Sequence, residues 1–203
     1  SFPTRRSSDL FDFSFMVWTM MGPLATEIAE SLKATQNFIM SADQSATLVA
    51  VPVLAGAILR VVLGFFVDRV GAKKTALVSQ FIVVLGLFFA YYKGETITYD
   101  ELLGVAFILG FAGASFAVAL PQAGQWYPPK LQGVVLGLAG AGNIGVVIDF
   151  IFAPKIAEIW GWQSVFLVGA VLSLFIFVVY FFMAKDAPSD VYKANPKKLK
   201  DYG

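Results

Sequence analysis

Apolar residues come in long runs along this chain, and polar or charged positions gather in the short gaps between them. Six runs match the length of a bilayer span, at about residues 10–27, 45–67, 75–92, 102–123, 131–154 and 165–184. A spanning helix needs about 20 mainly apolar residues for a hydrocarbon core about 30 Å thick. The pattern predicts an all-α membrane protein with six transmembrane helices in a unit of residues 11–184. Residues 185–203 are polar, carry Pro188 and Pro196 and show no apolar periodicity, so they read as a linker.

The charges orient these spans. Arg69, Lys73 and Lys74 follow the second run, Lys130 follows the fourth, and Lys185, Lys193, Lys197, Lys198 and Lys200 follow the sixth. The opposite gaps hold Lys33, Lys93 and Lys155. Nine basic residues against three place the even-numbered loops and the segment after residue 184 in the cytoplasm, in a multi-pass inner (plasma) membrane protein. A cytoplasmic linker after six spans implies a second bundle beyond it. The opening Pro3-Thr4-Arg5-Arg6-Ser7-Ser8-Asp9-Leu10 resembles a sequencing adapter translated in frame. Residues 1–10 are therefore expected to be non-native, and the native N-terminus is expected upstream.

Composition narrows the chemistry. The 203 residues are 58% hydrophobic and 14% charged, where a soluble domain carries about 25% charged residues. The absence of Cys and His excludes disulfides, thiolate chemistry, imidazole metal sites and a His proton relay. No intramembrane nucleophile, acid pair or metal cluster points to an enzyme, and no cofactor, metal or nucleic-acid partner is expected.

Arg60 stands out against this background. It lies within the apolar residues 48–67, eight residues from Asp68, or roughly 12 Å at the helical rise. A guanidinium at mid-span costs about 3 kcal/mol on an insertion scale, so it calls for an anionic partner in the bundle interior. A protein carboxylate or a transported anion would serve. Asn143 is a polar group at mid-span in the fifth run, beside Gly142 and Gly145, and helix–helix hydrogen bonding is its bland alternative.

The gap after the second run reads Gly64-Phe-Phe-Val-Asp68-Arg69-Val-Gly71-Ala-Lys73-Lys74. Gly64 and Gly71 allow close approach and unusual dihedrals. Asp68 and Arg69 are placed to pair at a helix end, and Lys73 and Lys74 hold the loop inside. This loop resembles, position for position, the signature loop of the major facilitator superfamily. Ala141-Gly142-Asn143-Ile144-Gly145 resembles the nitrate signature of its nitrate/nitrite porter family. Met21-Gly22-Pro23-Leu24, Leu59-Arg60 with Gly64, Gly113-Ala114-Ser115-Phe116-Ala117, Trp126-Tyr127-Pro128-Pro129, Trp160-Gly161-Trp162 and Lys185-Asp186-Ala187-Pro188 agree with that family.

The resemblance implies the N-terminal half of a twelve-helix major facilitator fold. It also implies transport of nitrate, nitrite or both by alternating access, with no covalent chemistry. Arg60 then resembles the family's substrate-binding Arg, Asn143 the Asn of the nitrate signature, and Phe116 an aromatic beside the bound anion. The family's second Arg comes from the C-terminal half, the missing partner of this bundle. The three depths agree within about 6 Å at the helical rise, and transporter sites lie near the midplane. A planar guanidinium fork suits a planar oxyanion.

Asp149 is mid-span in the fifth run and has no counterpart in these motifs. Its helical position follows Gly142 and Gly145. Two roles stand side by side: proton coupling, or a structural pair with Arg60 or a Ser/Thr partner. The structural role is the expectation. The aromatic residues, Trp18 among them, read as interface belt or core, and the Phe residues of the third and sixth runs as lipid-facing. The alternatives to a nitrate/nitrite porter are a superfamily porter for another small anion and a non-transporting membrane scaffold. A scaffold would have no need of a desolvated Arg60.

Overall fold

The computed structural model describes residues 14–115 and 144–183. Residues 1–10, the 185–203 linker, and Phe116, Gly142 and Asn143 fall outside the described residues. Six helices are described: α1 (Met21–Gln36), α2 (Ala42–Val70), α3 (Ala72–Lys93), α4 (Tyr99–Ala114), α5 (Ile144–Trp160) and α6 (Trp162–Met183). Residues 14–19 are also helical and join α1 through a turn at Met20. No strand occurs among the described residues.

Local signals set the ends. Ser41 caps α2 and Thr98 caps α4, each in a reciprocal capping box, with Gln44 and Glu101. Asn37 closes α1 with a left-handed backbone, φ 55°. Gly71, at φ 100°, makes the one-residue joint between α2 and α3. A residue with a Cβ is strained there, which is the role expected of Gly71 in the signature loop.

Two span ends are corrected. The first helix does not stop near residue 27 but runs to Gln36, so Glu27 and Glu30 lie inside it. Glu, Ala, Leu and Lys are good helix formers, and the helix outlasts the apolar run that predicted it. The fifth helix passes through Pro154 and ends at Trp160, before Gly161 at φ 82°. An internal proline removes one backbone hydrogen bond, which helices in a packed membrane bundle tolerate.

Packing pairs α2 with α4, α3 with α4 and α6, and α5 with α1 and α6. Met21, Leu24, Ile28 and Leu32 form the buried stripe of α1, at i, i+3 or i+4 spacing. They join Leu48, Leu87, Leu102, Leu109 and Phe166 in one core. The outside is apolar as well: Val61, Phe81, Phe175 and Phe182 are exposed. A soluble protein rarely exposes so large a patch, whereas lipid solvates it. Three helical stretches, Ala42–Val70, Ala72–Thr96 and Trp162–Phe182, are long and apolar enough to cross a membrane.

Candidate functional site

Pro52, Gly56 and Arg60 follow one another at four-residue spacing along α2 and share one of its faces. The indole of Trp18 lies on that face. Its Nε1–H donates to the Pro52 carbonyl at 2.7 Å. A Cβ at Gly56 would come within 3.0 Å of the same nitrogen, and a Cβ at Gly113 of α4 would overlap the indole. Two glycines thus leave the space that Trp18 fills between α2 and α4.

Arg60 closes the arrangement. Its Nε donates to the Gly113 carbonyl at 3.3 Å, and its guanidinium carbon lies 5.2 Å from the centre of the Trp18 ring. Arg60 is half-buried and turned toward α4 and the segment before α1, not toward lipid. That agrees with a guanidinium held in the bundle interior. Phe15 meets Trp18 edge-on, with ring centres 5.0 Å apart, and packs against Val146 of α5. The segment before α1 therefore links the Arg60 face of α2 to α5. Gly145 is buried on α5.

Asp149 is held apart from this group. Its side chain is 3% exposed, and Oδ2 lies 3.5 Å from the Thr19 hydroxyl. Thr19 is shared, since its hydroxyl also lies 3.0 Å from the Phe15 carbonyl. No Lys or Arg among the described residues reaches Asp149 within ion-pair distance. Of the two structural partners expected, the Thr is present and the Arg60 pair is not. Asp149 borders an apolar cavity of about 170 Å³ lined by Met16, Met20, Phe152, Val165 and Leu172.

The signature loop departs from expectation in two places. Asp68 and Arg69 do not pair: Arg69 stacks on Phe65 with its guanidinium carbon 3.9 Å from the ring centre. Consecutive residues on a helix point about 100° apart, and a residue four positions away is the nearer neighbour. A Cβ at Gly64 would meet no atom within 4 Å, so no close approach occurs there among the described residues. Lys73 reaches the α6 residue Phe181 at 5.7 Å from the ring centre, and Lys74 is exposed.

The sequence reading missed Trp18, which it placed with the belt or core aromatics. The usable signal was the four-residue spacing of Pro52, Gly56 and Arg60, which makes a flat strip on α2 ending in a cation. It also missed Thr19 as the partner of Asp149.

Known proteins agree with this architecture. A family model described as Major Facilitator Superfamily matches residues 13–201. The chain is 32% identical over 168 residues to "Probable nitrate transporter NarT" of Staphylococcus aureus (strain MRSA252), covering 81% of this chain and 41% of that protein. It is 33% identical over 150 residues to the "Nitrite extrusion protein" of Bacillus subtilis (strain 168), covering 74% of this chain and 36% of that protein. The chain thus spans about two fifths of the length of these relatives. Among solved structures, the inward-open xylose transporter XylE from E. coli superposes with a TM-score of 0.70 at 12% identity, covering 98% of this chain and 53% of that one. That likeness is one of fold.

Proposed function

The chain belongs to the major facilitator superfamily, and we propose that it is the N-terminal six-helix half of a secondary transporter for nitrate, nitrite or both. The observation that carries the reading is Arg60, a half-buried cation at mid-helix, hydrogen-bonded across to α4 and stacked on Trp18. A guanidinium presents paired donors in a plane, which matches a trigonal oxyanion better than an ammonium does. Asn143, Gly142, Gly145 and Phe116 complete the anion site in this reading. The names of the relatives support nitrate and nitrite as cargo.

The relatives' greater length supports a second bundle that supplies the opposing cation. Transport then proceeds by alternating access, the two halves rocking about a site near the midplane. The Gly71 loop and the 185–203 linker face the cytoplasm of a plasma (inner) membrane, by the excess of basic residues on that side.

The test is Arg60→Lys in the full-length protein, with nitrate and nitrite uptake measured in intact cells. Lysine keeps the charge and loses the fork. Uptake should nearly vanish while the protein still reaches the membrane. Near-normal uptake removes Arg60 from the site. Wild-type protein that carries neither anion but carries another small anion redirects the reading to that cargo.

A further inference from the structure

We infer that Trp18 is the positioning residue of the anion site: its indole, locked between α2 and α4, sets the plane of the Arg60 guanidinium. This rests on the reading of Arg60 as the anion-binding group.

Four contacts fix the ring. One edge is tied by the 2.7 Å hydrogen bond from Nε1 to the Pro52 carbonyl. On α2 the ring lies against Gly56, and on α4 against Gly113, at both of which a methyl group would crowd or overlap it. Phe15 meets it edge-on. An indole that slides along α2 or flips loses the hydrogen bond to Pro52 and the close fit against Gly56 and Gly113.

Arg60 then inherits that rigidity. Its guanidinium carbon sits 5.2 Å from the ring centre, within the range of a cation–π contact, and Nε is held by the Gly113 carbonyl at 3.3 Å. Trp18 and Arg60 thus share Gly113, whose missing side chain admits the indole and whose carbonyl takes the Nε hydrogen. A long side chain with a bulky donor head has many rotamers, and a ring face together with a directional hydrogen bond selects among them. Tryptophan suits the task better than phenylalanine, because it has the stronger π face and the N–H that ties the ring to α2.

A plain packing wedge would hold the helices together without influencing which anion is preferred. Positioning predicts something further. Nitrate is planar, and chlorate carries the same charge but is pyramidal. A fork locked in one plane discriminates between them by shape, and a loosened fork discriminates less.

The experiment uses the full-length transporter in proteoliposomes, with nitrate KM, maximal rate and the chlorate inhibition constant measured for wild type, Trp18→Phe, Trp18→Leu and Arg60→Lys. Trp18→Leu should raise nitrate KM by about tenfold, the scale of losing a desolvated cation–π contact. The maximal rate should change less, and the preference for nitrate over chlorate should shrink. Trp18→Phe keeps a π face and loses the hydrogen bond, so its KM and its preference should lie between those of wild type and Trp18→Leu.

If both Trp18 variants keep the wild-type KM and anion preference while Arg60→Lys abolishes uptake, the positioning role is wrong and the Arg60 reading stands. A lower maximal rate with KM and preference unchanged also makes Trp18 a packing residue. If Trp18→Leu fails to accumulate, Trp18→Phe decides: an unmoved KM and preference overturn the inference, and a raised KM with weakened preference supports it. Near-normal uptake by Arg60→Lys would overturn the anion-site reading itself, and this inference with it.

Discussion

At the scale of single residues, the interior of this bundle rests on a few polar groups whose hydrogen bonds can be traced. Asp149 meets the Thr19 hydroxyl only at the long distance of 3.5 Å. The Thr19 hydroxyl has one hydrogen to give, and the Phe15 carbonyl at 3.0 Å is a closer acceptor than Asp149 at 3.5 Å. We propose that the carboxyl group packs α5 against the segment before α1, a role in which an amide of the same shape would replace it. Asp149→Asn in the full-length protein should retain nitrate uptake with an unchanged dependence on external pH. Loss of proton-driven accumulation, with nitrate/nitrite exchange preserved, would instead make Asp149 the coupling acid. Arg60 was legible from the sequence because a cation deep in an apolar run contradicts its surroundings. Trp18 was not, because a tryptophan in such a run is consistent with lipid, core or interface. Only the glycines facing it from α2 and α4 distinguish these.

At the scale of elements, the apolar runs located all six helices but not their ends. Hydropathy reports where lipid stops, whereas the helix stops where capping and backbone geometry end it. Hence α1 continues nine residues past Glu27 to Gln36, and α5 six residues past Pro154 to Trp160. The turn between α3 and α4 shows what does the ending. Thr98 and Glu101 form a capping box, and Glu101 pairs with Lys93 at 2.6 Å. Thr98→Ala should cost about 1 kcal/mol, read as a lower Tm of the protein in detergent. The Lys93 hydrogen bond, followed by that from the Thr98 backbone N–H, holds the Glu101 carboxyl below the usual range. A group whose folded-state pKa is lowered stabilises the fold above its unfolded pKa. That contribution fades as pH falls through the lowered value. The Tm difference between wild type and Glu101→Gln should therefore be present at neutral pH and close on acidification. A difference independent of pH would show that the pair contributes through shape alone.

At the scale of the whole molecule, the half of a major facilitator fold follows from two patterns that reinforce each other. Alternating apolar runs and short gaps predict six helices that reverse direction at each gap, and along the sequence nine basic residues follow the even-numbered runs against three in the other gaps. The end opposite Gly71 carries the α1–α2 and α3–α4 turns and Gly161. Which end faces the cytoplasm is a question about the membrane, and from the rule for basic residues we propose that the Gly71 end is inside. The chain offers a clean test because it contains no cysteine. Ile39, between α1 and α2, is 76% exposed, and Lys74, at the start of α3, is exposed at the other end. Single substitutions Ile39→Cys and Lys74→Cys place one thiol on each side, neither in contact with the Arg60 face. In intact cells or spheroplasts, a membrane-impermeant maleimide should label Ile39→Cys at once. It should label Lys74→Cys only after the membrane is opened. The reverse pattern would invert the bundle and move the 185–203 linker outside. Labelling of both thiols without permeabilisation would mean that the two loops do not lie on opposite faces of one membrane, and the six-span reading would fail with the orientation.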